Sequence, residues 1–320
     1  MNRRGFLKKT VAGSAGAAMA MSIEERTLLA QADGATVGGP GGGLKGQGMG
    51  FKEKEVLVQS GEKSVKPAEE MRPGEILAAV SRGPYAFVPV SPTFEWHSFH
   101  LPMGTDALIP QEMARIMAGR VGGIWFRPLS FGLDAWRDPQ EKKEWGIRDD
   151  EEVYGMNFPE LPVWSEYSEK PEMVSAVKNR LKPLSRCGVK HAFLMNHHGG
   201  KGQFETIEEL AKECTNEKMK VHAIRTYQFN DLKEEDGFYG QGGHAGWSET
   251  TWLLAFRPEL VNLNEQEEGE LSVRKTGILH ETPTIDAKWN PRRVSLSVAD
   301  KLRQRAIASF EQYIRKVQTG

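Results

Sequence analysis

Two apolar runs, Tyr85-Ala86-Phe87-Val88-Pro89-Val90 and Val189-Lys190-His191-Ala192-Phe193-Leu194-Met195, decide the architecture of this 320-residue chain. Each is short and mostly apolar, the first lies between Pro84 and Pro92 and the second follows Gly188, so both read as buried strands. Residues 122–126 and 219–227 read as two more. Between them the apolar residues change to helical spacing: Leu108, Ile109, Met113, Ile116 and Met117; then Met173, Val174, Val177, Leu181 and Leu184, with Gly188 as the stop; then Phe204, Ile207, Leu210 and Ala211. Residues 298–318 carry a last amphipathic helix, and no internal repeat is present. Strand and helix alternate, which predicts a layered α/β domain with a largely parallel sheet. In such domains sites form where strands end.

Polar clusters stand at those ends. Directly after the first strand comes Glu95-Trp96-His97-Ser98-Phe99-His100, with Asp106 nine residues beyond His97. In extended backbone Glu95 and His97 point to one side, and imidazole with carboxylate suits zinc or manganese, which a carboxylate such as Asp106 can bridge. After the second strand comes Asn196-His197-His198-Gly199-Gly200-Lys201-Gly202, whose glycines permit close backbone approach to an ion. A third cluster, Gly242-Gly243-His244-Ala245-Gly246-Trp247-Ser248-Glu249, places a histidine and a carboxylate five residues apart, with a helix expected from about Ser248. Three clusters of this kind in one alternating domain favour a metal site over three solvated loops.

Composition narrows the function. The chain is 39% hydrophobic and 27% charged with net charge −1, an ordinary globular balance with no basic excess for nucleic acid. Cys187 and Cys214 are too far apart for a CxxC site and too few for a disulfide framework. At the start, Asn2-Arg3-Arg4-Gly5-Phe6-Leu7-Lys8-Lys9 and the Ala- and Gly-rich run to Met21 resemble a bacterial twin-arginine export signal. That run is too short to span a bilayer stably. Residues 1–32 are therefore expected to be a leader recognised by the twin-arginine export machinery, giving a periplasmic or otherwise exported protein. Without its five basic and two acidic residues the net charge is −4. Residues 33–75 read as a glycine-rich and charged linker and 76–320 as the catalytic domain. Gly41-x-Gly43-x-x-Gly46 has dinucleotide-fingerprint spacing, but it follows a leader, carries Pro40 and lacks the flanking strand and helix, so a linker is the better reading.

The clusters together resemble the creatininase family. Glu95-x-His97, His100-Leu101-Pro102-x-Gly104-Thr105-Asp106, Asn196-x-His198-Gly199-Gly200 and His244-Ala245-Gly246-x-x-Glu249-Thr250 follow the family's order over about residues 80–260, and Pro128-Leu129-Ser130-Phe131-Gly132 and Asn157-Phe158-Pro159 sit where the family has its Pro-rich segment. The resemblance implies a three-layer α/β/α sandwich, a centre of two divalent metal ions (Zn2+ or Mn2+), hydrolysis of a carbon–nitrogen bond in a small amide, cyclic amides included, and a homo-oligomer. By position, Glu95 and His198 would hold one metal and His97 the other, with Asp106 bridging and His244 moving protons. Four departures stand out: His197 where the family has Gly, Lys201 for Asn, Ser98-Phe99 for Gly-Pro, and Gly200 where creatininase itself has a metal-binding Glu. Glu249 is the expected substitute.

Plainer readings apply to other residues. His100 suits a supporting or packing role, and His191 and His222, inside strand-like runs, suit core or surface. Trp96, Trp247 and Trp252 are candidates to wall a planar substrate. The acidic residues 265–270 form a solvated loop, whereas residues 127–169, rich in Trp, Pro and charge, are too long for a bare connection. Two other functions compete: a dinuclear phosphoesterase, for which Lys201 is the one cation beside the motifs, and a non-catalytic metal- or ligand-binding protein of the same fold.

Overall fold

The computed structural model describes residues 65–239, 243–266, 273–279 and 290–319. The expected export leader, the glycine tract, Gly242 and residues 267–270 of the acidic run lie outside them. Helix α1 (Pro73–Arg82) leads into β1 (Tyr85–Pro89), followed by α2 (Thr105–Val121), β2 (Ile124–Trp125), the short α3 (Pro139–Glu144), α4 (Lys170–Leu181), β3 (His191–Asn196), α5 (Gln203–Cys214), β4 (Lys220–Arg225), α6 (Trp247–Phe256) and α7 (Leu296–Thr319). The four strands form one parallel sheet in the order β2-β1-β3-β4, with Tyr85 opposite His191 and His191 opposite Lys220.

Strands buried on both faces favour apolar residues on both, which is why β1 and the centre of β3, Ala192 to Met195, read as continuous apolar runs. Alternation then sorts them by size. Tyr85, Phe87, Phe193 and Met195 enter the core cluster shared with α2, α6 and α7, while Ala86, Val88, Ala192 and Leu194 enter the cluster shared with α1, α4 and α5. Phe87 stacks on Phe193 at 5.3 Å and both meet Phe310 of α7 edge-on. Helices on both faces of a parallel sheet make the expected α/β/α sandwich. Helix α2 is buried over most of its length because it lies between β1 and the outer helices α6 and α7.

The apolar stripe over 173–184 is split between α4 and a 3-10 turn, Leu184–Cys187, that Gly188 ends with φ 95°. The expected strand over 122–126 shrinks to two residues, since its flanks contribute single backbone hydrogen bonds only. Residues 127–169 form a satellite core around Trp96, Val153, Met156 and Phe158. Among the described residues no helix is long and apolar enough to cross a membrane.

Candidate metal centre

The carboxyl ends of β1 and β3 deliver the first two clusters to one buried point. Glu95, His97, Asp106 and His198 are 0%, 0%, 1% and 3% exposed. Asp106 is the second residue of α2 and Glu249 the third of α6, so both carboxylates occupy first helical turns, where free amides and the macrodipole favour negative charge. The Ala245 amide donates to Glu249 Oε2 at 2.6 Å. Ser98 (φ 63°) and Ala245 (φ 50°) hold left-handed backbone although neither is glycine, and each directly follows a site histidine. Strain of that kind persists where the surroundings impose a geometry.

The imidazole tautomers follow from their partners. His97 Nδ1 lies 2.9 Å from the Glu95 backbone oxygen and His198 Nε2 lies 3.0 Å from that of Leu133. A carbonyl only accepts, so each of those nitrogens donates, and the opposite nitrogen turns inward. His97 Nε2 then stands 3.5 Å from Asp106 Oδ1 and 3.7 Å from Glu249 Oε2, and His198 Nδ1 stands 2.9 Å from both Glu95 Oε2 and Asp106 Oδ2. Asp106 thus presents one oxygen to each imidazole.

His198 Nδ1 and Asp106 Oδ2 are hydrogen-bonded to each other, but three of the other inward atoms are not. Glu95 Oε2, His97 Nε2 and Asp106 Oδ1 are fully buried with no hydrogen bond. Such atoms facing one another repel unless positive charge lies between them. Burial acts to lower the His97 pKa, yet Asp106, with Glu249 and Glu95 behind it, pushes it up to about 10. His198 is raised for the same reason against the same burial. Glu249, driven up by burial despite His97, reaches about 7. Where a proton is held this firmly a divalent cation fits at least as well, and the donor set of imidazole and carboxylate suits zinc or manganese. Ligand atoms of Glu95, His97 and Asp106 lie within 4.8 Å of one another, as do those of His97, His244 and Glu249 and those of Glu95, Asp134 and His198.

His244 is anchored differently. Its Nε2 donates to the Trp96 carbonyl, its ring lies 4.4 Å from that of His97, and burial with the nearby His97 charge holds its pKa well below the ordinary value. It is a neutral imidazole with Nδ1 left as acceptor. His100 donates from Nε2 to Thr250, whose hydroxyl donates to the Gly246 carbonyl, so it braces α6 outside the cluster. Of the three tryptophans, Trp252 lines the cavity beside Glu249. Trp96 bonds the Thr276 carbonyl, and Trp247 packs on Phe238 and Tyr239. That cavity, of about 380 Å³, opens beside Glu249 between His197, Tyr227, Asn230, Phe238 and Trp252.

Two residues that motif reading passed over belong here, both from residues 127–169. The Tyr167 hydroxyl accepts from the Met156 amide at 2.8 Å and donates to Glu95 Oε1 at 2.8 Å, which leaves Oε2 facing His198. Its ring lies against Gly155, where a Cβ would fall 2.3 Å from Cζ. Asp134 lies by Glu95 and His198 but is also tied to Arg137 at 2.6 Å. The length of the segment was the only sequence signal for either. Lys201 turns outward to Glu141 and Asp138.

A family model described as creatininase, creatinine amidohydrolase, matches residues 167–298. The creatinine amidohydrolase of Pseudomonas putida is 24% identical over 182 residues, which are 53% of this chain and 64% of that protein, just under two thirds of its length. Over these stretches the chain is similar to the creatininase family. Two solved creatininase structures have the same fold: a variant of Zn-Zn type (TM-score 0.57, 19% identity, 79% of this chain and 98% of that one) and a manganese form (TM-score 0.57, 20% identity, 78% and 98%). Within the family pattern, the absent glutamate of the second motif has a local cause. A Cβ on Gly200 would lie 2.1 Å from His198 Nε2 and 2.3 Å from the Leu133 carbonyl, so no side chain fits there while that hydrogen bond exists. Glu249, from α6, approaches the other imidazole, that of His97.

Proposed function

We propose that this protein is a metal-dependent amidohydrolase that cleaves the carbon–nitrogen bond of a small amide. The observation that carries the reading is the double-faced Asp106, with Oδ1 toward His97 and Oδ2 toward His198, amid buried polar atoms that have no other partner. Glu95 and His198 would hold one divalent cation and His97 and Glu249 the other, with Asp106 between them. Two cations held there would supply Lewis acidity for the scissile carbonyl and for a water. The chain supplies the rest. His244, neutral and fixed by Trp96, accepts the proton released as water adds and returns it to the departing nitrogen. Tyr167 holds Glu95 to one oxygen, and the aromatic cavity beside Glu249 receives the amide.

The inclusion of His244 in a group with His97 and Glu249 supports a second role, as a ligand. His244→Gln separates the two: a proton carrier lowers kcat and leaves the metal in place, whereas a ligand releases it. The outward ion pairs of Lys201 speak against a phosphoesterase, which needs cationic groups at the transferred phosphate. The paired-arginine leader supports export of the folded protein and the family supports a homo-oligomer; fractionation and light scattering check these. The deciding experiment is metal analysis of wild type and Asp106→Ala with turnover on an amide panel. Two equivalents in wild type and near none in the variant are expected. Full metal in the variant would refute the shared-carboxylate arrangement.

A further inference from the structure

His197 stands where the family has glycine, and it faces the cavity beside Glu249. Its Nδ1 lies 2.5 Å from Thr226 Oγ1, and that hydroxyl donates its single proton to the Asn196 carbonyl. Thr226 can therefore only accept from the ring, so His197 carries its proton on Nδ1 and leaves the Nε2 lone pair open. No hydrogen bond engages Nε2 among the described residues. The ring is clamped edge-on between Trp252 at 5.4 Å and Tyr227 at 5.9 Å, both of which also line the cavity. The cavity has no Lys or Arg among its described lining residues and one carboxylate, Glu249, so it suits neutral or cationic ligands better than anionic ones.

Resting on the amidohydrolase reading, we infer that His197 sets specificity: its Nε2 accepts a hydrogen bond from an N–H of the bound amide, so the site selects small planar amides, neutral or cationic, that carry an N–H over their N-alkylated counterparts. Family members with glycine at this position have no side chain to make that contact. An N-alkyl ligand leaves a desolvated acceptor unpaired, which costs about 1–3 kcal/mol, or roughly five- to a hundredfold in affinity.

The test is calorimetric binding of hydantoin and 1,3-dimethylhydantoin to the metal-loaded full chain. Wild type is expected to prefer hydantoin by at least about fivefold. His197→Phe, which keeps a ring and removes the acceptor, should bring the two within about twofold, and His197→Gln, which restores an acceptor, should recover part of the preference. In wild type, 15N spectra of labelled histidine should show the Nδ1-protonated tautomer and a shift at Nε2 on adding hydantoin, a readout independent of whether a variant folds. Equal affinities in wild type, an unchanged ratio in His197→Phe, or an unshifted Nε2 overturns the inference and leaves the hydrolase reading intact. Binding of neither compound by protein with full metal overturns both.

Discussion

Two pairs of histidines sit toward opposite ends of one sheet, and their surroundings make them opposites. Past the carboxyl ends, His97 and His198 share Asp106, and the carboxylates raise both imidazole pKa values. Toward the amino ends, His191 and His222 are bonded to each other at 3.1 Å among Tyr85, Phe193 and Tyr313, with Lys220 as the nearby charge, and burial lowers both. Histidine content therefore does not mark a site. What marks it is negative charge brought to the imidazoles from helix first turns, α2 and α6, which only the upper end possesses.

The contrast can be broken from the top. Glu249→Gln removes one of the carboxylates facing His97. Changing outer partners of a metal ligand costs about 10–100-fold, so losing a ligand should cost more than about a hundredfold in kcat/KM, with one metal retained by elemental analysis. Retention of both metals would remove Glu249 from the site. Gly200→Ala tests the packing that closes the usual glutamate position: its Cβ meets the His198 ring and the Leu133 carbonyl, and a loss of about 2–3 kcal/mol in denaturant unfolding is expected. An unchanged midpoint would show that the His198 bond can yield.

Subtler changes sharpen the comparison. Tyr167→Phe frees Glu95 Oε1 and should weaken metal binding at the Glu95–His198 pair about tenfold in chelator competition, leaving the other ion unaffected. Equal loss of both ions would point to a general structural role instead. At the lower end the effect is smaller and depends on pH. An unfolded imidazole takes up its proton near 6.5 and folded His222 only near 4, so its contribution to stability is present above 6.5 and lost as pH falls through that window. His222→Phe should flatten this part of the stability profile by less than about 1 kcal/mol, because the ring is partly solvated. A steeper acid loss than wild type would contradict it.

The fold was legible because its signals are local. Mostly apolar runs at 85–90 and 189–195, and helical stripes between them, follow from burial on both strand faces and from one-sided helices. Boundaries were less so: residues 122–126 form two residues of strand, and the stripe over 173–184 crosses a helix end. In the site, the polar clusters were visible as residue types after strands. Tyr167 and Asp134 were not, because they lie in residues 127–169, whose irregular path has no period to read.

By itself the amino-acid sequence determined the parallel layered architecture, the family's motif order and the identity of the imidazoles and carboxylates, since periodicity and residue chemistry are written along the chain. Only the tertiary structure decided which oxygen of Asp106 faces which histidine, why position 200 admits no side chain, and that His197 offers an acceptor to a cavity. Each of these depends on distances between residues many positions apart, set by how α2, α6 and the β3–α5 turn pack at the end of one sheet.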